Sequence, residues 1–144
     1  MRRNLLVIIL GISFLILMTW LGTIITSIIP HRVTASTQTA QAGPYQITLQ
    51  VHPNPPLITQ PATLTVQLVN NTSQQPVTNA RVTLESDMES MDMGTDQAYA
   101  SLQGNNIYVA RLQFPMSGLW QVRLNIAVPG SQAVSAVFEV TVRK

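Results

Sequence analysis

From Pro44 onward, apolar and polar residues alternate with a period of two. Tyr45, Ile47, Leu49 and Val51 alternate with Gln46, Thr48, Gln50 and His52, the pattern of a half-buried β-strand with His52 on its polar side. Pro53-Asn-Pro-Pro56 ends that run, and Leu64, Val66 and Leu68 begin the next. Asn70-Asn-Thr-Ser73 supplies turn chemistry. Ala80, Val82 and Leu84 then predict a strand that runs straight into a methionine-rich stretch. A short segment around Tyr99 and Ser101 leads through Gly104-Asn-Asn106, a hairpin signal, to Tyr108, Ala110, Leu112 and Phe114. Pro115-Met-Ser-Gly118 and Pro129-Gly130 flank a strand with Trp120, Val122, Leu124, Ile126 and Val128 on one face. Val134, Ala136, Phe138, Val140 and Val142 close the chain. Strand candidates separated by Pro, Gly and Asn turns predict an all-β fold, an immunoglobulin-like antiparallel β-sandwich, with a small closed barrel as the second architecture. Trp120, Phe114 and Phe138 are the large core residues of this reading, and the Trp120 ring can also lie under the turn carrying Met116.

The period is different at the start of the chain. Leu5 to Ile29 carries no charge, and at 1.5 Å per residue such a helix reaches about 37 Å, enough to span a bilayer. Residues 1–30 are therefore expected to be a single transmembrane helix. Arg2 and Arg3 precede the run, so the positive-inside rule places the following domain outside the cytoplasm, periplasmic or extracellular. A cleaved signal peptide is the competing reading, with small residues at Val33-Thr-Ala35 and Ala40-Gln-Ala42, but the run is longer than a signal h-region. Residues 31–43, rich in Thr, Ala, Gln and Ser, are expected to be a flexible linker, and 44–144 the folded domain.

The net charge of +2 rests on Arg2 and Arg3, since the bases after Pro30 equal the acids in number. No basic patch points to nucleic acid. The acids are concentrated instead. Glu85, Asp87, Glu89 and Asp92 surround Met88, Met91 and Met93 in Glu85-Ser-Asp-Met-Glu-Ser-Met-Asp-Met-Gly94, and Asp96 follows two residues later. Thioether sulfur is a soft neutral ligand suited to Cu(I), and neighbouring carboxylates gather cations. In an extended chain Met91 and Met93 point to one side and Met88 to the other, so a turn near Ser90 is needed for the sulfurs to converge. Methionines that merely fill core gaps are the plainer alternative; a core segment is not expected to interleave them with carboxylates. Met116, in its own turn, is either a fourth ligand at the same end of the fold or a cap on the core beside Trp120. His52 joins the candidates if its loop lies at that end. There is no cysteine, so a thiolate site is excluded.

Met88-Glu-Ser-Met-Asp-Met-Gly94 followed by Ile107-Tyr-Val-Ala-Arg-Leu-Gln-Phe-Pro-Met-Ser-Gly-Leu-Trp-Gln-Val-Arg-Leu124 resembles the YtkA-like family over roughly Tyr45 to Val142. The resemblance implies a small extracytoplasmic domain of immunoglobulin-like fold, similar in style to FixH-type and CopC-type copper proteins, with a Met/His-rich segment linked to copper handling. The chain departs from that pattern in having no histidine near its methionines, which leaves Cu(I) the better candidate than Cu(II).

Two functions are expected from these features. The first is a membrane-anchored copper-binding module that captures or passes on Cu(I) through Met88, Met91, Met93 and Met116, with a copper-handling or membrane protein as partner. The second is a metal-free accessory domain that docks on a membrane complex or transporter through the same methionines, which suit adaptable surfaces. Calcium has oxygen ligands in Asp87, Glu89, Asp92 and Asp96, but their spacing is not that of an EF-hand loop and leaves the methionines without a role. His31 and His52 are the only histidines and no nucleophile set accompanies them, so an enzyme is not expected.

Overall fold

The computed structural model describes residues 11–20, 33–88 and 91–144, with backbone alone at 91–93. The chain divides into two compact units, Met1–Arg32 and Val33–Lys144. In the first, residues 11–20 are helical and Phe14, Leu15, Ile16, Leu17 and Trp20 are exposed. No helix among the described residues is long and apolar enough to cross a membrane; the rest of the expected Leu5–Ile29 span lies outside the described residues.

The second unit is built from eight antiparallel strands. They are β1 (Thr37–Ala42), β2 (Tyr45–His52), β3 (Ala62–Asn70), β4 (Arg81–Met88), β5 (Met91–Gln103), β6 (Ile107–Leu112), β7 (Gly118–Ala127) and β8 (Val134–Val142). Their hydrogen-bonded order is β1-β2-β3-β6-β5-β4-β7-β8. The alternation in the sequence sets which side faces in: Ile47, Leu49, Leu64, Val66, Leu84, Val122, Leu124 and Val140 are fully buried, and each strand's intervening residues look outward. At about 1.5–3 kcal/mol for each large side chain taken out of water, this one apolar interior drives the fold without disulfides.

The all-β antiparallel expectation holds, but the arrangement is one continuous sheet curled almost into a barrel. The reason lies in β5. It pairs with β4 from Met91 to Ala100 and then with β6 from Ser101 to Gln103, so it hands one half of the sheet to the other. The left-handed Asn105 and Asn106 in the turn after β5 make the hairpin that Gly104-Asn-Asn106 predicts. The two edge strands, β1 and β8, then come side by side. Gln38 Nε2 donates to the Glu139 carbonyl at 2.7 Å, Thr141 N donates to Thr34 Oγ1 at 3.0 Å, and a Cβ on Gly43 would lie 3.0 Å from Val134 Cγ1.

β1 corrects the expected linker at 31–43. Ala40 and Ala42 turn toward the core while Thr37, Thr39 and Gln41 stay exposed, and the strand is in full register with β2. Its inward residues are too small to give an apolar alternation, so the pattern reads as spacer although the backbone is extended and paired.

Candidate metal site

β4 carries Val82, Leu84, Ser86 and Met88 inward, whereas Asp87 is exposed and Glu85 half-buried on the outer side. Glu85 stands across from Arg123, and Asp87 from Gln121, on that polar outer surface. Strand alternation thus interleaves a buried methionine with carboxylates at no desolvation cost, because the two kinds of side chain leave opposite faces. The expectation that a core segment cannot have this composition is corrected for Met88, which is only 8% exposed.

Met88 is paired with Met91 on β5 and with Trp120 on β7. The chain therefore reverses between Met88 and Met91, where the sequence demands a turn; Glu89 and Ser90 themselves lie outside the described residues. Directly opposite residues of antiparallel strands have Cβ atoms about 4.5–5.5 Å apart. The pairing of β4 with β5 is then broken, since Ser86 faces Asp96 and Met88 faces Met91, so Asp92 to Thr95 have only Asp87 opposite them. Gly94, at φ +81°, supplies the bend. This bulge and the β6–β7 turn enclose a cleft of about 230 Å³ lined by Gly94, Thr95, Asp96, Pro115 and Trp120.

The β7 side is held by specific contacts. Trp120 is buried, donates from Nε1 to the Met116 carbonyl at 3.0 Å, and meets Phe114 edge-on with ring centroids 5.4 Å apart at 63°. This is the placement of the indole under the Met116 turn that the sequence allowed. Met116 is half-buried and packs against the core. Gly118 opens β7 at φ +145°, and a Cβ there would stand 2.5 Å from Met88 Cε. The methionine methyl occupies the room that glycine leaves.

His52 ends β2 on its exposed side. The registers His52 with Thr63 and Ala62 with Leu112 bring it to the same end of the fold as the β6–β7 turn, but it does not line the cleft. The loop after it is fastened elsewhere, by Gln113 Nε2 to the Ile58 carbonyl at 2.6 Å and by the exchange of Ile58 and Pro56 with Arg143. His31 and the side chains of Met91, Asp92 and Met93 lie outside what is described. Asp96, one of the acids the sequence singles out, shares a register position with Ser86 and lines the cleft, whereas sequence reading missed two neighbours of the site: Gly118, and Ser86, 1% exposed with its hydroxyl unpartnered. Only Ser86 had a signal, its place in the Val82-Leu84-Ser86-Met88 alternation.

Larger clefts of about 390 and 330 Å³ lie at the opposite end, around Asn79 and Val128, and no sulfur, imidazole or carboxylate lines them. Among the described residues no group of three or more His, Cys, Asp or Glu side chains stands together. At the β4–β7 end Met88 is the register partner of Trp120, and the Met116 carbonyl accepts the indole N–H.

A small all-β domain built on one antiparallel, nearly closed sheet is the class these observations define. The YtkA-like family profile matches residues 39–125, and the chain belongs to the YtkA-like family. Among solved structures it is similar to the crystal structure of a DUF4426 family protein from Pseudomonas aeruginosa PAO1, with a TM-score of 0.53 and 13% identity over 74% of this chain and 94% of that one. At that identity the likeness concerns the fold alone. No curated protein matches the chain.

Proposed function

We propose that this protein is a membrane-anchored, extracytoplasmic module that captures or passes on Cu(I), with Met88, Met91, Met93 and Met116 as its ligands. The observation that supports the reading most is the register: Met88 lies opposite Met91, and the turn bearing Met116 is tied to Trp120, the other register partner of Met88. Residues distant in sequence and able to bind a soft ion are thereby gathered at one end. Thioethers do not take up protons in water, so such a site keeps its ligands in mildly acid surroundings where histidine loses them. Bound copper would supply no more than the cargo itself; Met88 would give a ligand from the interior and Met116 one from the rim. Anchoring rests on the uncharged Leu5–Ile29 run behind Arg2 and Arg3. The immunoglobulin-like relationship implied by the family stays part of this proposal.

The test is anaerobic Cu(I) titration of the Val33–Lys144 unit against a chromophoric chelator, beside a variant with Met88, Met91 and Met93 changed to Leu. One-to-one binding by the first and none by the second is expected. Failure of the wild-type unit to compete removes the copper reading and favours the accessory domain that docks through its methionines.

A further inference from the structure

We infer that the mouth of the sheet at the end opposite Met88 is a binding site for a small neutral polyol, a monosaccharide in size and chemistry, with the Tyr45 hydroxyl as its innermost hydrogen-bonding group. The inference stands apart from the copper reading. Tyr45 and Tyr108 are both buried at this end, 4% and 2% exposed. The Tyr108 hydroxyl is satisfied twice, accepting from Ala80 N at 3.0 Å and donating to the Val77 carbonyl at 2.9 Å. The Tyr45 hydroxyl has no hydrogen bond to any described residue. Nor is it sealed in, since among the described residues the side-chain atoms buried without a partner are Asn54 Oδ1 and Ser86 Oγ. A buried tyrosine hydroxyl ordinarily finds a partner, and Tyr45 lines an open cleft of about 330 Å³, so its partner comes from outside the chain.

The mouth of a barrel is a usual place for a small-molecule pocket, and this volume stands at the lower end of their range of roughly 300–1,000 Å³. The lining decides the class of ligand. Val77 and Val128, both packed on the core, give an apolar floor, and Asn70, Asn79 and Ser131 bring amide and hydroxyl groups. Among the described residues no charged side chain lines the cleft. An ion would find no counter-charge there, and a purely apolar ligand would strip water from the Tyr45 hydroxyl and the amides without replacing it. A sugar ring meets both demands, with its C–H face on the valines and hydroxyls that donate and accept toward the amides. The rim is also set beforehand. Asn70 Oδ1 accepts from Thr72 N at 2.9 Å and from Ser73 N at 3.2 Å, Asn71 N donates to the Pro44 carbonyl at 2.8 Å, and Val77 N to the Leu68 carbonyl at 2.9 Å. Little order then has to be gained on binding.

The chain has three tyrosines, so the full-length protein labelled with fluorotyrosine gives three fluorine resonances, assigned through Tyr45→Phe, Tyr99→Phe and Tyr108→Phe. Tyr99, which is exposed, and Tyr108, whose hydroxyl is already bonded, serve as internal controls. Separate titrations with glucose, galactose, mannose and N-acetylglucosamine through the millimolar range are expected to shift the Tyr45 resonance saturably with at least one sugar while the other two stay in place. Tyr45→Phe, followed by saturation transfer to that sugar, is expected to weaken binding about two- to ten-fold, the span of one neutral hydrogen bond. Asn79→Ala, at an exposed rim residue, is expected to act in the same direction. No saturable shift with any of the sugars, or equal shifts at Tyr45 and Tyr99, overturns the inference and leaves water as the partner of the hydroxyl. Affinity that neither substitution alters overturns it as well. If Tyr45→Phe fails to fold, Asn79→Ala decides alone.

Discussion

Gly118→Ala tests how the methionine end is packed. Two separable penalties act on this one substitution. The first is conformational: φ +145° is a region that residues with a Cβ rarely enter, at about 1–3 kcal/mol. The second is contact, because the new Cβ would lie 2.5 Å from Met88 Cε. That atom is the free end of a flexible side chain, so it can move, at the roughly 0.5–1.5 kcal/mol of an off-rotamer torsion. Together they predict a loss of about 2–4 kcal/mol. Met88→Ala alone empties a buried site and costs about 2–5 kcal/mol, but it also removes the atom that the added methyl group would strike. In that background Gly118→Ala should cost only its conformational part, a coupling of about 0.5–1.5 kcal/mol between the two positions. Urea unfolding of the four proteins measures it, and thermal unfolding gives a parallel reading of about 4–8 °C per kcal/mol in a domain near this size. An equal cost in both backgrounds would falsify the placement of the Met88 methyl over Gly118, and a cost below about 0.5 kcal/mol in either would remove the conformational argument.

The other predictions concern individual groups. Tyr108→Phe removes a hydroxyl that accepts from Ala80 N at 3.0 Å and donates to the Val77 carbonyl at 2.9 Å; it is expected to cost about 1–3 kcal/mol and to speed hydrogen exchange at Ala80, and unchanged exchange there would argue against the bond. Ser86→Ala takes away a buried hydroxyl without a partner; stability is expected to stay level or rise by about 1 kcal/mol in urea unfolding, so a clear loss would mean the hydroxyl has a partner after all. Phe114→Ala, at a fully buried ring stacked edge-on against Trp120, should lose about 3–5 kcal/mol and shift the Trp120 emission as its wall is removed. A fragment beginning at Gly43 lacks β1, and is expected to melt lower and to scatter more light than one beginning at Val33; equal behaviour would make β1 dispensable.

The strands from Tyr45 onward were legible because large apolar residues such as Ile47, Val66, Leu124 and Phe138 alternate with polar ones, and burial of one face follows from that alone. β1 was not, because Ala40 and Ala42 carry too little apolar surface to mark an inward face. The closure of the sheet was hidden for another reason. β5 contributes no fully buried residue between Gly94 and Gln103, and Tyr99 on it is 70% exposed, so nothing in its composition reveals that it joins two sets of strands. That the end of β4 and the turn bearing Met116 lie at the same end of the fold could be anticipated from which strands lead to which turns. The burial of Met88 could not be foreseen while Glu85 and Asp87 were weighed as neighbours in sequence instead of as residues of the opposite face. The dependence of Met88 on Gly118 needs the register of β4 with β7, which only a three-dimensional structure supplies.

The seam between β1 and β8 bears on the order in which the molecule is made. Side-chain bonds across it join residues 101 and 107 positions apart, Gln38 to Glu139 and Thr34 to Thr141, among the longest separations in the fold. Contacts of such range require the largest loop to close, and they gain least from partial structure, so the seam forms last. Until β8 arrives, during synthesis or refolding, no strand stands beside the outer edge of β1, and that edge is a template for any extended chain nearby. The same side chains that finish the fold therefore also end the interval in which an unfinished copy can recruit another.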